Sequence, residues 1–368
     1  MNLLIKPASG MCNMRCKYCF YADEMSQRET KSYGIMSLET LEEVVKRAIE
    51  YSERDRFVGF MFQGGEPTLA GLDFYRALVG YIKKYNTRGL RINLGLQTNG
   101  YAINDEWAEF LARNGFLVGL SLDGTKDVHN LNRIDAAGKP TFGKVMHAAE
   151  LFKKYNVTFN TVTVVTEKTA RSITSIYNFL KQNDLTWQQY IPCLDPLGCY
   201  EDKYLSTKRY GEFLCRLFDL WYADMAAGKY IYNRTFENYV GILMGKHPEE
   251  CGMCGFCTVQ FVLEADGSVF PCDFYVLDKY KLGNFTTDSY EDIMKKADEL
   301  GFVEESKNMN SECKGCKWVA LCRGGCRRYR EPFVDGAPSL NRFCEAYKMF
   351  FEHSADRMIE LARLAARR

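Results

Sequence analysis

Cys12, Cys16 and Cys19 stand in the run Gly10-Met11-Cys12-Asn13-Met14-Arg15-Cys16-Lys17-Tyr18-Cys19-Phe20, and their CxxxCxxC spacing constrains this chain more than any other feature. Three thiolates this close force a tight loop around whatever they bind. Iron–sulfur clusters are normally held by four thiolates. A loop with three gives a four-iron cluster one ligand too few, and leaves one iron open to an outside ligand, much as a catalytic zinc keeps an open position. An electron can pass straight into whatever binds there. The competing expectation is a structural zinc site, which wants a fourth Cys or His at finger-like spacing. None of His129, His147, His247 and His353 lies near.

The chain of 368 residues is long enough for two or three domains and a substantial core. Its 48 basic and 47 acidic residues leave a net charge of +1, so no global field favours nucleic acid or an anionic membrane. No apolar stretch approaches the roughly 18 residues of a membrane span, and the opening Met1-Asn2-Leu3-Leu4-Ile5-Lys6-Pro7 lacks a signal-peptide layout, so the chain reads as cytoplasmic. With no export signal, fifteen cysteines point to metal binding or redox work rather than a disulfide framework. Nine of them fall between Cys251 and Cys344, and Cys193, Cys199 and Cys215 are scattered between the two groups.

Up to about residue 195 short β-rich runs alternate with amphipathic stretches, the pattern of βα units around a parallel sheet. Strands are expected over Leu3–Lys6, Phe57–Phe62, Arg91–Leu96, Leu117–Leu122, Thr158–Val165 and Trp187–Ile191. Helices are expected over Leu38–Tyr51 behind an N-cap at Ser37, then Leu72–Tyr85, Asp105–Arg113, Phe142–Tyr155 and Ala170–Asn183. Six βα units are too few for a closed eight-stranded barrel, which leaves an open partial barrel or a doubly wound sheet. In both, ligands gather at the C-terminal strand ends. Helices over Tyr210–Ala227 and Phe236–Met244 form a bridge. The cysteine-rich part follows, with short strands around Gln260–Glu264 and Ser268–Pro271 joined by the hairpin turn Ala265-Asp266-Gly267. A helix over Glu345–Arg367 closes the chain.

After the second strand comes Gln63-Gly64-Gly65-Glu66-Pro67, where paired glycines let backbone approach a ligand closely and Glu66 offers a carboxylate that suits an ammonium group. An ordinary turn with a helix start at Pro67 is the plain alternative. CxxxCxxC after the first strand with GGEP after the second resembles the radical S-adenosylmethionine superfamily. There the amino and carboxylate groups of methionine ligate the open iron, and the GGEP segment receives the amino group. One electron from the cluster then breaks a sulfonium C–S bond, giving methionine and a 5′-deoxyadenosyl radical; that chemistry belongs to the cofactor.

The C-terminal cysteines resemble the seven-cysteine SPASM pattern of peptide-modifying radical enzymes, through Cys257, Gly267, Cys272, Cys313-x2-Cys316-x5-Cys322-x3-Cys326 and Cys344. With Cys251 there are eight, enough for two further [4Fe–4S] clusters. The resemblance groups them as Cys251, Cys257, Cys272 and Cys326, and as Cys313, Cys316, Cys322 and Cys344; Cys254 is an extra thiol. Zinc ribbons would use the same count, since thiolates discriminate poorly between metals.

Within SPASM proteins the chain is similar to the anaerobic sulfatase-maturating enzymes. Cys19-Phe20-Tyr21, Gln63 with GGEP, Leu120-Ser121-Leu122-Asp123-Gly124, Asn130-Leu131-Asn132-Arg133, Cys193-Leu194-Asp195-Pro196-Leu197 and Pro271-Cys272-Asp273-Phe274-Tyr275 carry the likeness over nearly the whole length. The resemblance implies an α/β fold: a partial (β/α)6 TIM-type barrel with a helical bridge over residues 1–230, a SPASM domain over 231–344 and a C-terminal helix over 345–368. It implies S-adenosylmethionine contacts from Tyr18, Gly64, Gly65, Glu66, Ser121, Arg133 and Leu194, substrate contacts from Tyr21 and Gln63, and three [4Fe–4S] clusters.

The same resemblance makes Asp273 the base that deprotonates the target thiol or hydroxyl, where a solvated turn residue is the plain alternative. General-base work needs hydrogen-bond reach and a suitable pKa. The implied reaction is oxygen-independent oxidation of a cysteine or serine in a sulfatase to Cα-formylglycine. The radical takes a hydrogen from Cβ, Asp273 removes the S–H or O–H proton, and the remaining electron leaves through the auxiliary clusters. Implied partners are an unfolded Cys/Ser-x-Pro/Ala-x-Arg segment of a sulfatase and a ferredoxin or flavodoxin reductant. The alternatives are another SPASM modifier, making a thioether or epimerising a residue, and a zinc-stabilised binding module. Arg323 and Arg327-Arg328-Tyr329-Arg330 have the composition of an RNA patch, against which the neutral charge balance argues.

Overall fold

Near-continuous apolar runs make strands that are covered on both faces, the pattern of parallel sheets. In a computed structural model, which describes residues 1–52 and 56–366, the main strands are β1 Asn2–Ile5, β2 Phe57–Phe62, β3 Arg91–Thr98, β4 Phe116–Ser121, β5 Thr158–Val165, β6 Trp187–Pro192, β7 Tyr232–Asn233, β8 Val262–Leu263, β9 Ser268–Phe270 and β10 Gly283–Asn284. In β2, for example, Val58, Gly59, Phe60 and Phe62 are all buried. The six strands expected before residue 195 are all present, displaced by no more than two residues at either end.

The chain forms two compact units, one from Met1–Ser121, Asn130–Asn160 and Val259–Leu300, the other from Leu122–His129, Thr161–Thr258 and Gly301–Arg368. In the first unit the strand order is β10-β9-β8-β1-β2-β3-β4, with β1 to β4 parallel. β8 adds to the outer edge of β1 in parallel, Leu4 opposite Val262 and Ile5 opposite Leu263. β9 and β10 then run antiparallel. The turn through Asp266 and Gly267 makes this possible: Gly267 has φ +85°, and Asp266 Oδ1 accepts from the Ser268 N–H at 3.0 Å. The added strand also covers backbone groups that an open edge would leave unpaired. In the second unit β5 and β6 pair in parallel from Thr161 opposite Gln188 to Val165 opposite Pro192, and β7 follows on β6.

The helices bury one stripe each. Leu38–Tyr51 buries Leu41, Val44, Val45, Ala48 and Ile49, and Ser37 caps it by accepting from the Thr40 N–H at 3.1 Å. The single helix expected over Ala170–Asn183 is instead two, Glu167–Arg171 and Ile173–Gln182. Thr166 caps the first through the Thr169 N–H, and Ser172, whose N–H reaches back to the Lys168 and Thr169 carbonyls, ends it. A short helix over Phe20–Ser26 was not expected, because Cys19 occupies its N-cap and makes no side-chain cap bond to reveal it. In the second unit the final helix Cys344–Ala366 packs on Thr207–Ala226, so closely at Gly211 that an added Cβ would lie 3.1 Å from Ala346 Cα. The expected end of that helix at Arg367, and of its domain at Arg368, falls outside the described residues. Among the described residues no helix is long and apolar enough to cross a membrane.

The arginine run is not a nucleic-acid surface, because Arg327, Arg328 and Arg330 are buried and committed. The Arg327 guanidinium stacks 4.1 Å from the Phe333 ring centroid and pairs with Glu305 at 2.7 Å. Arg330 donates to the Asn308 and Ser306 carbonyls at 2.9 Å each. Arg328 pairs with Glu331 and donates to the Asp195 carbonyl at 3.1 Å, while Arg342 holds the buried Asp195 carboxylate at 2.8 Å.

In the first unit Arg28 and Glu264 form an ion pair at 2.6 Å with both side chains fully enclosed. Removing one partner leaves a buried charge uncompensated, at a cost of about 3–5 kcal/mol. Arg28→Met is therefore expected to lower the urea midpoint of unfolding clearly, and the double variant Arg28→Met/Glu264→Leu to recover most of the loss.

Candidate active site

The loop bearing Cys12, Cys16 and Cys19 runs from β1 to the helix Phe20–Ser26 and is gripped by backbone from two sides. On one side the Gly65 N–H donates to the Ser9 carbonyl and the Glu66 N–H to the Met11 carbonyl, both at 2.8 Å. On the other, Arg15 and Lys17 donate to the Ile134 and Asn132 carbonyls, and Ala136 donates to that of Asn13. Cys12 Sγ accepts from the Met14 N–H at 3.4 Å and from Asn99 Nδ2 at 3.8 Å. Donors of this kind tune an iron–sulfur cluster. Burial pushes the Cys12 thiol up to about 12 against the pull of the Met14 N–H, so binding iron there releases a proton.

The GGEP segment is the brace of this loop. Glu66 is fully buried: Oε1 accepts from the Thr68 N–H and hydroxyl and from the Thr98 hydroxyl, and Oε2 from the Asn99 N–H at 2.8 Å. Burial raises its carboxyl while these donors oppose the rise. Glu66, expected to receive an ammonium group, has both carboxylate oxygens engaged in tying β2 to the end of β3. Gly64, at φ +123°, and Gly65 allow the contact with the cysteine loop. A Cβ on Gly65 would lie 2.1 Å from the Met11 carbonyl oxygen.

Other residues expected to touch S-adenosylmethionine also lie in the first unit. The Arg133 guanidinium sits 5.5 Å from the Tyr18 ring centroid, and the Ser121 hydroxyl, at the end of β4, accepts from Gln97 Nε2 at 3.0 Å. A cation, an aromatic face and a hydroxyl near a strand end suit a zwitterionic nucleoside ligand. Leu194 follows β6 in the second unit and is almost fully buried.

Asp273 lies on the short turn after β9, and two donors from C-terminal strand ends meet it. Lys6, just past β1, reaches Oδ1 at 2.6 Å, and Gln63, just past β2, donates to Oδ2. Tyr21 is enclosed, being 1% exposed, and its hydroxyl donates to Glu264. Burial and the Glu264 charge hold that phenol well above its ordinary value, so it stays protonated. Tyr21, expected to touch substrate, has its ring against Lys6, the ion-pair partner of Asp273. Sequence reasoning missed Lys6, Arg28, Glu264 and Asn99; a lysine ending an apolar strand was the one signal available.

In the second unit Cys313, Cys316, Cys322 and Cys344 line one pocket together with Trp318, Tyr347 and Phe351. Burial pushes Cys322 up to about 11, helped by the three other thiols. Among the described residues no three His, Cys, Asp or Glu side chains close on one ion. Four thiols lining one pocket match the four thiolates that normally hold an iron–sulfur cluster. Cys326 is likewise pushed up to about 12 by burial and by Cys251 and Cys257, all in the same unit, whereas Cys272 belongs to the first. The extra thiol of Cys254 turns to the Pro248 and Glu250 carbonyls.

Because Gly65 leaves no room for a side chain, Gly65→Ala is expected to push the cysteine loop off its brace. S-adenosylmethionine affinity of the iron-loaded protein, measured by equilibrium binding, should fall about tenfold or more, as for a loss of at least 1.4 kcal/mol.

The family model of the radical SAM superfamily matches residues 7–180, and that of an iron-sulfur cluster-binding domain, SPASM, matches residues 247–317. A cysteine-type anaerobic sulfatase-maturating enzyme of Clostridium perfringens is 49% identical, over 98% of each chain. A serine-type enzyme of Bacteroides thetaiotaomicron is 32% identical over 97% of this chain and 90% of its own. A solved structure of native anSMEcpe with bound AdoMet and Cp18Cys peptide superposes with a TM-score of 0.92 at 49% identity, covering 99% of both chains. With identity of this order sustained from end to end, the chain belongs to the anaerobic sulfatase-maturating enzymes of the radical SAM superfamily.

Proposed function

We infer that this protein oxidises a cysteine or serine side chain of a sulfatase segment to Cα-formylglycine without oxygen. The observation that carries this reading is Asp273, a carboxylate directly after a cluster-type cysteine, held by donors from the ends of β1 and β2. Cys12, Cys16 and Cys19 would hold the cluster that leaves an iron open, and the eight thiols Cys251, Cys257, Cys272, Cys313, Cys316, Cys322, Cys326 and Cys344 two more [4Fe–4S] clusters. When bound, these clusters and S-adenosylmethionine supply a radical strong enough to take hydrogen from carbon, and an exit for the second electron.

The chain's own part is to bind, orient and move a proton. Arg133 offers a cation for the methionine carboxylate, Tyr18 an aromatic face, Ser121 a hydroxyl, and Gly64 and Gly65 a close backbone approach. Asp273 accepts the S–H or O–H proton of the target residue, and Gln63 steadies the carboxylate. From cysteine the product is a thioaldehyde that water converts to the aldehyde with loss of sulfide; from serine the aldehyde forms directly.

Cysteine is the favoured target, supported by identity of 49% to a cysteine-type relative against 32% to a serine-type one. The reductant is a ferredoxin or flavodoxin, and the thiol-rich sites suit the reducing cytoplasm.

The reduced, iron-loaded protein is incubated anaerobically with S-adenosylmethionine and a Cys-x-Pro-x-Arg peptide or its serine analogue, and peptide masses are read. Aldehyde is expected from the cysteine peptide. Asp273→Asn should still release deoxyadenosine but lose nearly all aldehyde. Replacing Cys12, Cys16 and Cys19 with alanine should abolish deoxyadenosine itself; its persistence, or a thioether product, would overturn the reading.

A further inference from the structure

Lys6 belongs to none of the motifs, yet its side chain is fully buried and its ammonium lies 2.6 Å from Asp273 Oδ1. On its other side is the Tyr21 ring, 3.8 Å from Nζ to the centroid. That ring cannot swing away: its hydroxyl is bound to Glu264, and Glu264 is held by the enclosed Arg28. The register of β8 on β1 fixes Lys6 as well, through its N–H to the Leu263 carbonyl at 2.8 Å. Asp273 differs from its partner in one respect. Its side chain keeps 16% of its surface exposed while that of Lys6 has none. The pair is therefore closed at the cation and open at the carboxylate. A purely structural buried pair gains nothing from that opening, whereas a base requires it.

We propose that Lys6 is a positioning residue for proton removal, aiming the Asp273 carboxylate at the substrate thiol or hydroxyl. This rests on the reading of Asp273 as the base. In the step it serves, the S–H or O–H bond breaks, the proton passes to an Asp273 oxygen and the electron pair stays on sulfur or oxygen. Lys6 gives up no proton. It fixes one oxygen, as Gln63 steadies the other, so that the carboxylate meets each substrate in the same orientation. Nothing in this role concerns cleavage of S-adenosylmethionine, so that cleavage and aldehyde formation separate when Lys6 is lost.

The test uses full-length, iron-loaded protein as wild type, Lys6→Met, Asp273→Asn and the double variant. Deoxyadenosine and peptide aldehyde are quantified together, with iron content and peptide KM alongside. Lys6→Met is expected to keep its iron and KM while aldehyde per deoxyadenosine falls about tenfold or more, a loss confined to the later step. In the Asp273→Asn background Lys6→Met should add no further loss, because residues acting through one group are not additive. A wild-type ratio in Lys6→Met, or independent losses that multiply in the double variant, would overturn the proposal. Lys6→Gln keeps a donor without the charge and is expected to fall between wild type and Lys6→Met. Loss of iron in both Lys6 variants would make Lys6 a scaffold residue and equally end the proposal. If Asp273→Asn itself keeps making aldehyde, the assignment of the base fails instead.

Discussion

Two buried cations facing two carboxylates across a tyrosine ring are the constraint on which the first unit depends. Lys6 and Arg28 are both enclosed, and a cation there is tolerated only with a close partner. Asp273 and Glu264 supply the partners from a segment more than two hundred residues away in sequence. Tyr21 lies between, its face toward Lys6 and its hydroxyl on Glu264. Each member is held by the next, so the Asp273 carboxylate is placed by charges that cannot relax independently. Removing a single one leaves its neighbour stranded rather than merely looser.

The cysteine loop is stabilised by a different means. It carries little regular structure, yet its carbonyls and N–H groups are paired with Gly65 and Glu66 on one side and with residues 132–136 on the other. Glu66 serves this purpose by holding the end of β3, and the glycines serve it by having no side chain. The loop is thus ordered by protein contacts on both sides. In the second unit, burial raises the thiols of Cys322 and Cys326. There metal binding and loss of the thiol proton are coupled.

The βα alternation was legible because each strand is a short apolar run and each helix buries one stripe, and Ser37 announces its helix by a capping hydroxyl. The metal-ligand types were legible because thiolate spacing is a local property. What could not be read was anything set by long-range pairing. That β8 joins β1, and so delivers Glu264 beside Arg28 and Asp273 beside Lys6, follows from register rather than pattern. Glu66 and Tyr21 show the same limit, since their motifs do not contain Thr98, Asn99 and Glu264, the neighbours that hold their side chains. The arginines after Cys326 read as a basic surface only while Phe333, Glu305 and the Ser306 carbonyl are out of view.

The junction of β1 with β8 also carries a cost in time. β1 is made long before the strand that covers its outer edge, which ends at Leu263. At about 5–20 residues per second, synthesis leaves that edge open for on the order of ten to fifty seconds. An edge left open is where a sheet can pair with other chains, and lysines at such edges oppose that pairing. Lys6, at the end of β1, meets its carboxylate partner Asp273 only once that later segment has been made.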